Sequence, residues 1–202
     1  MNKPKDFDKV QGYGAYTILP AGNYVCKIMN VEETTSRTGK DMLVISLDIA
    51  EGAFTDYFAK AWREDTRDNK KWGCRSWVMV NDYQDSTKTS RNFKTFITSV
   101  EKSNNGFSVK WGEGFEDCFK GKLVGVQFRR EEYLDYLSVS HWSTRPASFR
   151  SVDSIRDGGL EVLADKPLDP AQASTAVERE QAPGKGNLAD FEDVISEGDL
   201  PF

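Results

Sequence analysis

Leu43, Ile45, Leu47 and Ile49 are apolar at every second position, with Val44, Ser46 and Asp48 between them. A period of two puts the four aliphatic side chains on one face of a strand. Upstream, Tyr24, Cys26 and Ile28 alternate in the same way with Val25, Lys27 and Met29. Ser36-Arg37-Thr38-Gly39-Lys40-Asp41 stands between the two runs and supplies turn chemistry. The two segments therefore pair as a hairpin. A lone hairpin cannot bury its apolar face, so the chain must add strands or a helical layer.

The rest of the sequence offers both. Phe54, Tyr57, Phe58, Ala61 and Trp62 recur at the spacing of one helical face, and so do Phe93, Phe96, Ile97 and Val100, with Ser90 placed to cap the second helix. A third strand is expected over 73–80, a stub over 107–111 and a fourth strand over 121–128. A fifth is expected over 136–142, with Leu137, Val139 and His141 facing the core and Tyr136 and Trp142 facing away, joined to the fourth by 131–135. Strand, strand, helix, strand, helix, strand, strand is the order of a five-stranded Greek-key barrel of the oligonucleotide-binding type, and it fits other small α+β sheets as well; the barrel is the favoured reading. The expected class is mainly β, with one or two helices and a disordered acidic C-terminal tail.

Charge divides the chain more sharply than length does. Of 27 Lys+Arg and 32 Asp+Glu, three bases and ten acids lie from Gly158 onward. That leaves 24 bases and 22 acids before it, a slightly basic body and a tail of net −7. Of the 24 aromatic residues only Phe191 and Phe202 lie in the tail. We therefore expect a nucleic-acid-binding barrel over 1–156, a flexible linker over 157–188 and an acidic partner-binding tip over 189–202. No apolar run reaches the ~20 residues of a membrane helix. The opening residues Met1 to Asp6 form no apolar stretch, so no secretory leader is expected. Cys26, Cys74 and Cys118 are dispersed, which reads as reduced thiols of a cytoplasmic protein. His141 is the only histidine.

The last four residues are Asp199, Leu200, Pro201 and Phe202, and the acids before them are interleaved with Phe191, Val194 and Ile195. A purely solvating tail has no use for apolar residues. This tip resembles the acidic C-terminal peptide of bacterial single-stranded-DNA-binding proteins, which recruits replication and repair enzymes. The body resembles instead a family of phage-encoded single-stranded-DNA-binding proteins. The matching pieces are Leu19-Pro-Ala-Gly-Asn-Tyr24, Gly39-Lys-Asp-Met-Leu43, Asp48-Ile-Ala-Glu-Gly52 with Tyr57-Phe58, and Gly121-Lys-Leu-Val124. The resemblance implies sequence-independent binding of single-stranded DNA in phage replication or recombination, within the host cytoplasm. It implies no catalysis and no cofactor, and recruitment of replication or recombination proteins through Asp199, Leu200, Pro201 and Phe202.

Binding a single strand takes cations along the phosphates and aromatic faces for the bases. The densest such stretch is 60–77, from which Lys70, Lys71, Trp72, Arg75 and Trp77 are candidates, Trp72 as a surface residue of a polar loop. Arg37 and Lys40 occupy the first hairpin tip, and Tyr136, Trp142 and, just beyond, Arg145, Phe149 and Arg150 belong to the last strand region. Two other readings stand beside this one. One is an adaptor whose barrel binds protein. The other is a nuclease whose carboxylates (Glu32 and Glu33, Asp56 with Asp65, Glu131 and Glu132) hold a metal ion. Adjacent acids on a strand point to opposite faces, which makes Glu32 and Glu33 a poor metal pair.

Overall fold

The computed structural model of the chain describes residues 3–4, 18–135 and 137–169. Five strands form one antiparallel sheet in the order β3-β2-β1-β4-β5. They are β1 (Gly22–Thr35), β2 (Asp41–Ile49), β3 (Arg75–Met79), β4 (Leu123–Leu134) and β5 (Ser140–Arg150). Among the described residues three α-helices accompany them, α1 (Tyr57–Glu64), α2 (Arg91–Ser103) and α3 (Val152–Arg156), with one 3-10 turn at Asp117–Phe119. The protein is mainly β, and the two edge strands of its open sheet, β3 and β5, come into contact with one another.

The apolar face expected for β1 and β2 lines the core, and Val25 and Asp48 between its residues are buried as well. Ile28 faces Leu47, Val31 faces Ile45 and Cys26 faces Ile49, all of them buried. A bulge between Ile28 and Asn30 shifts the register so that Val31 returns to the core. α2 packs Phe93, Phe96, Ile97 and Val100 beneath β3, β4 and β5, and Phe96 touches both Phe119 and Phe149 ring to ring. Each such buried ring stabilises the fold by roughly 1.5–3 kcal/mol relative to leaving it exposed. Ser90 holds the N-cap position of α2 but makes no side-chain cap bond.

α1 begins at Tyr57, after Asp56 in a left-handed conformation, and its N-terminus is held from outside the helix. The Asp48 carboxylate, on β2 and 1% exposed, accepts the backbone N–H groups of Phe58 at 2.9 Å and Ala59 at 3.1 Å, and that of Ile49 at 2.9 Å. Burial raises the Asp48 carboxyl above the usual carboxylate range, and these three N–H donors act against that rise.

Four expectations change. The stretch 107–111 is not a strand; it belongs to a loop that carries Trp111 onto Phe115. β4 runs on to Leu134, so 131–135 is strand almost to its end rather than a connector. The turn falls where the fifth strand was expected, leaving Leu137 62% and Val139 50% exposed. The Asp135 carboxylate builds that turn by accepting the Leu137 and Val139 N–H groups, each at 2.9 Å, with Ser138 at φ 59°. His141 is not a core residue either. It is exposed, and its Nε2 lies 2.9 Å from Asp135 Oδ2. The outer half of the β4–β5 hairpin extends past the first residue of β1, Gly22, which pairs with Phe128. With no core beneath it, its alternation carries no apolar signal.

Contacts also reach into the stretch expected as linker. Asn23 Nδ2 donates to Leu160 O at 2.7 Å, and Gln127 Nε2 to Glu161 O at 3.1 Å. Lys166 bridges in parallel to Glu131, exchanging backbone hydrogen bonds with Arg130 and Glu132. The segment is held by backbone pairing to an open stretch of β4, which apolar composition does not report. The remainder of the expected linker and the tip, residues 170–202, lie outside the described residues.

Candidate nucleic-acid interface

β3 alternates strictly. Cys74 and Val78 are buried, and Arg75 and Trp77 point to the opposite face. Trp77 is 46% exposed, and the Arg75 guanidinium carbon lies 5.5 Å from its ring centre. On the facing edge, β5 presents Arg145, opposite Arg129 on β4. Between the two edges lies a groove of about 330 Å³, lined by Arg75, Trp77, Glu131, Arg145 and Arg150, with Asn92 and Thr95 of α2 below. Glu131 is ion-paired to Arg129 at 2.7 Å, so arginines dominate the charge of the groove.

Three expected residues, Arg75, Trp77 and Arg145, thus meet in one place although 68 residues separate Trp77 from Arg145. The others do not join them. Arg37 stays exposed at the β1–β2 tip. Lys40 Nζ donates to Tyr83 O at 2.6 Å and lies 4.1 Å from the Tyr83 ring centre. Lys70 Nζ donates to Trp62 O at 3.0 Å and Asp65 O at 3.1 Å, satisfying carbonyls at the end of α1. Lys71 is exposed beside it. Trp72 is corrected outright. Its indole N–H donates to Leu47 O at 2.7 Å and its ring packs half-buried against the core, because the loop after α1 folds back over β2. Within the same loop, hydrogen bonds from the Arg67 guanidinium hold the Asp65 carboxyl down at about 2.

Trp142 is exposed, as expected, but does not join the groove. It pairs with Glu132 and shares a face with Arg130, whose guanidinium carbon lies 5.0 Å from its ring centre. Arg145, Ser143 and His141 occupy the other face of that hairpin, which continues the groove. Tyr136 lies outside the described residues, as do Asp199, Leu200, Pro201 and Phe202. Sequence reasoning passed over Tyr133, whose ring lies 5.3 Å from the Arg145 guanidinium carbon and 5.7 Å from the His141 ring. Arg150, placed by the sequence just beyond Arg145, lines the groove as well. Among the described residues, no three His, Cys, Asp or Glu side chains come together as a metal site.

Residues 5–140 match the family described as "Protein of unknown function (DUF669)". The chain belongs to that family. The matched span takes in β1 through β4 and ends at Ser140, the first residue of β5. Of the groove residues, Arg75, Trp77 and Glu131 therefore lie within the family span, and Arg145 and Arg150 follow it. No curated protein matches the chain.

Proposed function

We propose that this chain binds single-stranded DNA without sequence preference, in the groove between β3 and β5. The observation that carries the reading is the convergence of Arg75, Arg145 and Arg150 around an exposed tryptophan in an open groove between two sheet edges. Guanidinium groups neutralise phosphates, and an indole face accepts a base of any identity; base–aromatic stacking contributes roughly 1–3 kcal/mol per base. The strand order, with α2 inserted between β3 and β4 and the two edge strands touching, agrees with an oligonucleotide-binding barrel. The acidic stretch ending in Asp199-Leu200-Pro201-Phe202 supports recruitment of replication or recombination proteins in the cytoplasm. Among the described residues, no helix is long and apolar enough to cross a membrane.

The test is a titration with oligo-dT, duplex DNA and RNA of equal length, followed by tryptophan fluorescence and by gel shift. Quenching by oligo-dT that is absent with duplex, and lost in Trp77→Ala, supports the reading. Equal binding of duplex, or no binding at low salt, overturns it.

A further inference from the structure

Six exposed or half-buried rings among the described residues carry one of the chain's own cations, Phe107 under Lys122 and Tyr133 under Arg145 among them. Lys70 Nζ lies 4.9 Å from the Trp62 ring centre and Lys40 Nζ 4.1 Å from that of Tyr83. The guanidinium carbon of Arg75 lies 5.5 Å from Trp77 and that of Arg130 5.0 Å from Trp142. Trp111 is 64% exposed, and among the described residues no cation lies over its ring. One side of the ring stacks on Phe115, with centres 5.4 Å apart and planes at 21°, and Phe93 meets it at 6.2 Å. The indole is thus braced from behind and presents an open aromatic face.

Trp111 lines a second groove, of about 410 Å³, whose apolar lining also includes Phe93, Phe115, Met42, Leu43 and Val80. The charged residues lining it are Glu33 and Asp41, and neither Lys nor Arg lines it. Glu116 adds a third carboxylate at the rim, where it accepts the backbone N–H of Glu33. The β3–β5 groove has the opposite sign, with Arg75, Arg145 and Arg150 against Glu131. A polyanion suited to the first groove is repelled by the second.

We propose that the Trp111 groove docks a basic polypeptide segment of a partner protein. A Lys or Arg of that segment lies over the open face of Trp111 with its charge toward Glu33 and Asp41, and an adjacent apolar side chain enters the pocket formed by Met42, Leu43 and Val80. A cation over a tryptophan face is the strongest of the cation–aromatic pairings, and carboxylates beside the ring add to it. An aromatic anchor beside a small apolar pocket, rimmed by charge, is also the usual anatomy of a protein contact that dominates binding. This site is independent of the DNA reading, since it shares no residue with the β3–β5 groove.

The experiment uses the full chain labelled with nitrogen-15 and follows the indole N–H signals, with that of Trp111 assigned from Trp111→Phe. The probe is an acetylated, amidated peptide of alternating leucine and arginine, compared with the same peptide carrying glutamate for arginine. The expected result is a saturable shift of the Trp111 signal with the arginine peptide and none with the glutamate peptide. Glu33→Gln with Asp41→Asn should weaken the arginine peptide by about five-fold or more. Both substitutions are at exposed positions, and unchanged tryptophan signals before titration show that the variant is folded. Three results overturn the proposal: no shift with the arginine peptide, equal shifts with both peptides, or a saturable shift of Trp111 with oligo-dT, which would make it a DNA contact.

Discussion

The guanidinium carbon of Arg130 sits 5.0 Å from the centre of the Trp142 ring, on the face of the β4–β5 hairpin turned away from Arg145. Two tryptophans that look equivalent by composition are therefore separated by strand geometry. Trp77 opens onto the arginine-lined groove, and Trp142 faces away from it. We expect Trp77→Ala to weaken oligo-dT binding by roughly 1–3 kcal/mol and Trp142→Ala to leave it nearly unchanged. Calorimetric titration of both variants checks this. The opposite ranking would place the strand path on the other face of the hairpin.

Salt dependence separates the groove from the loop after α1. Each phosphate neutralised on a single strand contributes a slope of about −0.7 in log affinity against log salt. Arg75→Ala combined with Arg145→Ala should flatten the slope by about 1.4. Lys70→Ala should leave it unchanged, because that ammonium is turned inward onto Trp62 O and Asp65 O. Equal flattening by Lys70→Ala would move the path to the α1 side.

Asp48 predicts a pH signature. Its folded carboxyl is raised, chiefly by burial, so between the ordinary carboxylate range and the raised value the folded state holds the proton that the unfolded state has released. Its contribution to stability is therefore fullest at low pH, falls as pH rises through that window and is level above it. Asp48→Asn should abolish this step, so that the wild-type advantage over the variant shrinks across the window. Asp48→Ala leaves three backbone N–H groups without their acceptor, and should destabilise the fold by about 2–4 kcal/mol at acid pH and by less once pH has passed through the window. Urea unfolding of the three proteins between acid and neutral pH reads both effects.

Gly125 is the point where α3 meets the sheet. A Cβ there would lie 2.5 Å from Ile155 Cγ1 and 2.7 Å from the Ser151 carbonyl oxygen. Gly125→Ala should destabilise by about 1–3 kcal/mol, and adding Ile155→Ala should restore only part of the loss, since the carbonyl remains. Full rescue by the double variant, read in thermal melts, would sink the backbone half of this account.

What the sequence determined by itself follows from local periodicity over a core. Leu43, Ile45, Leu47 and Ile49 announced β2, and Phe93, Phe96, Ile97 and Val100 announced α2, because a buried face imposes its period on the residues that fill it. The same period put Arg75 and Trp77 on one face of the third strand, and the burial of Cys74 and Val78 decided that this face is the outer one. Where no core lies beneath the chain, that signal vanishes. The outer β4–β5 hairpin is exposed on both faces, so nothing in Arg130, Glu132 or Trp142 announced its register, and the Asp135 turn that sets it is a matter of hydrogen bonds. Backbone pairing likewise holds residues 160–166 against β4, unmarked by composition. Trp72 went inward because Leu47 O needed a donor, which only the folded path of the loop reveals. Only tertiary structure placed Arg145 and Arg150 beside Arg75, since it alone brings the first and last strands of the edge-to-edge seam, β3 and β5, together.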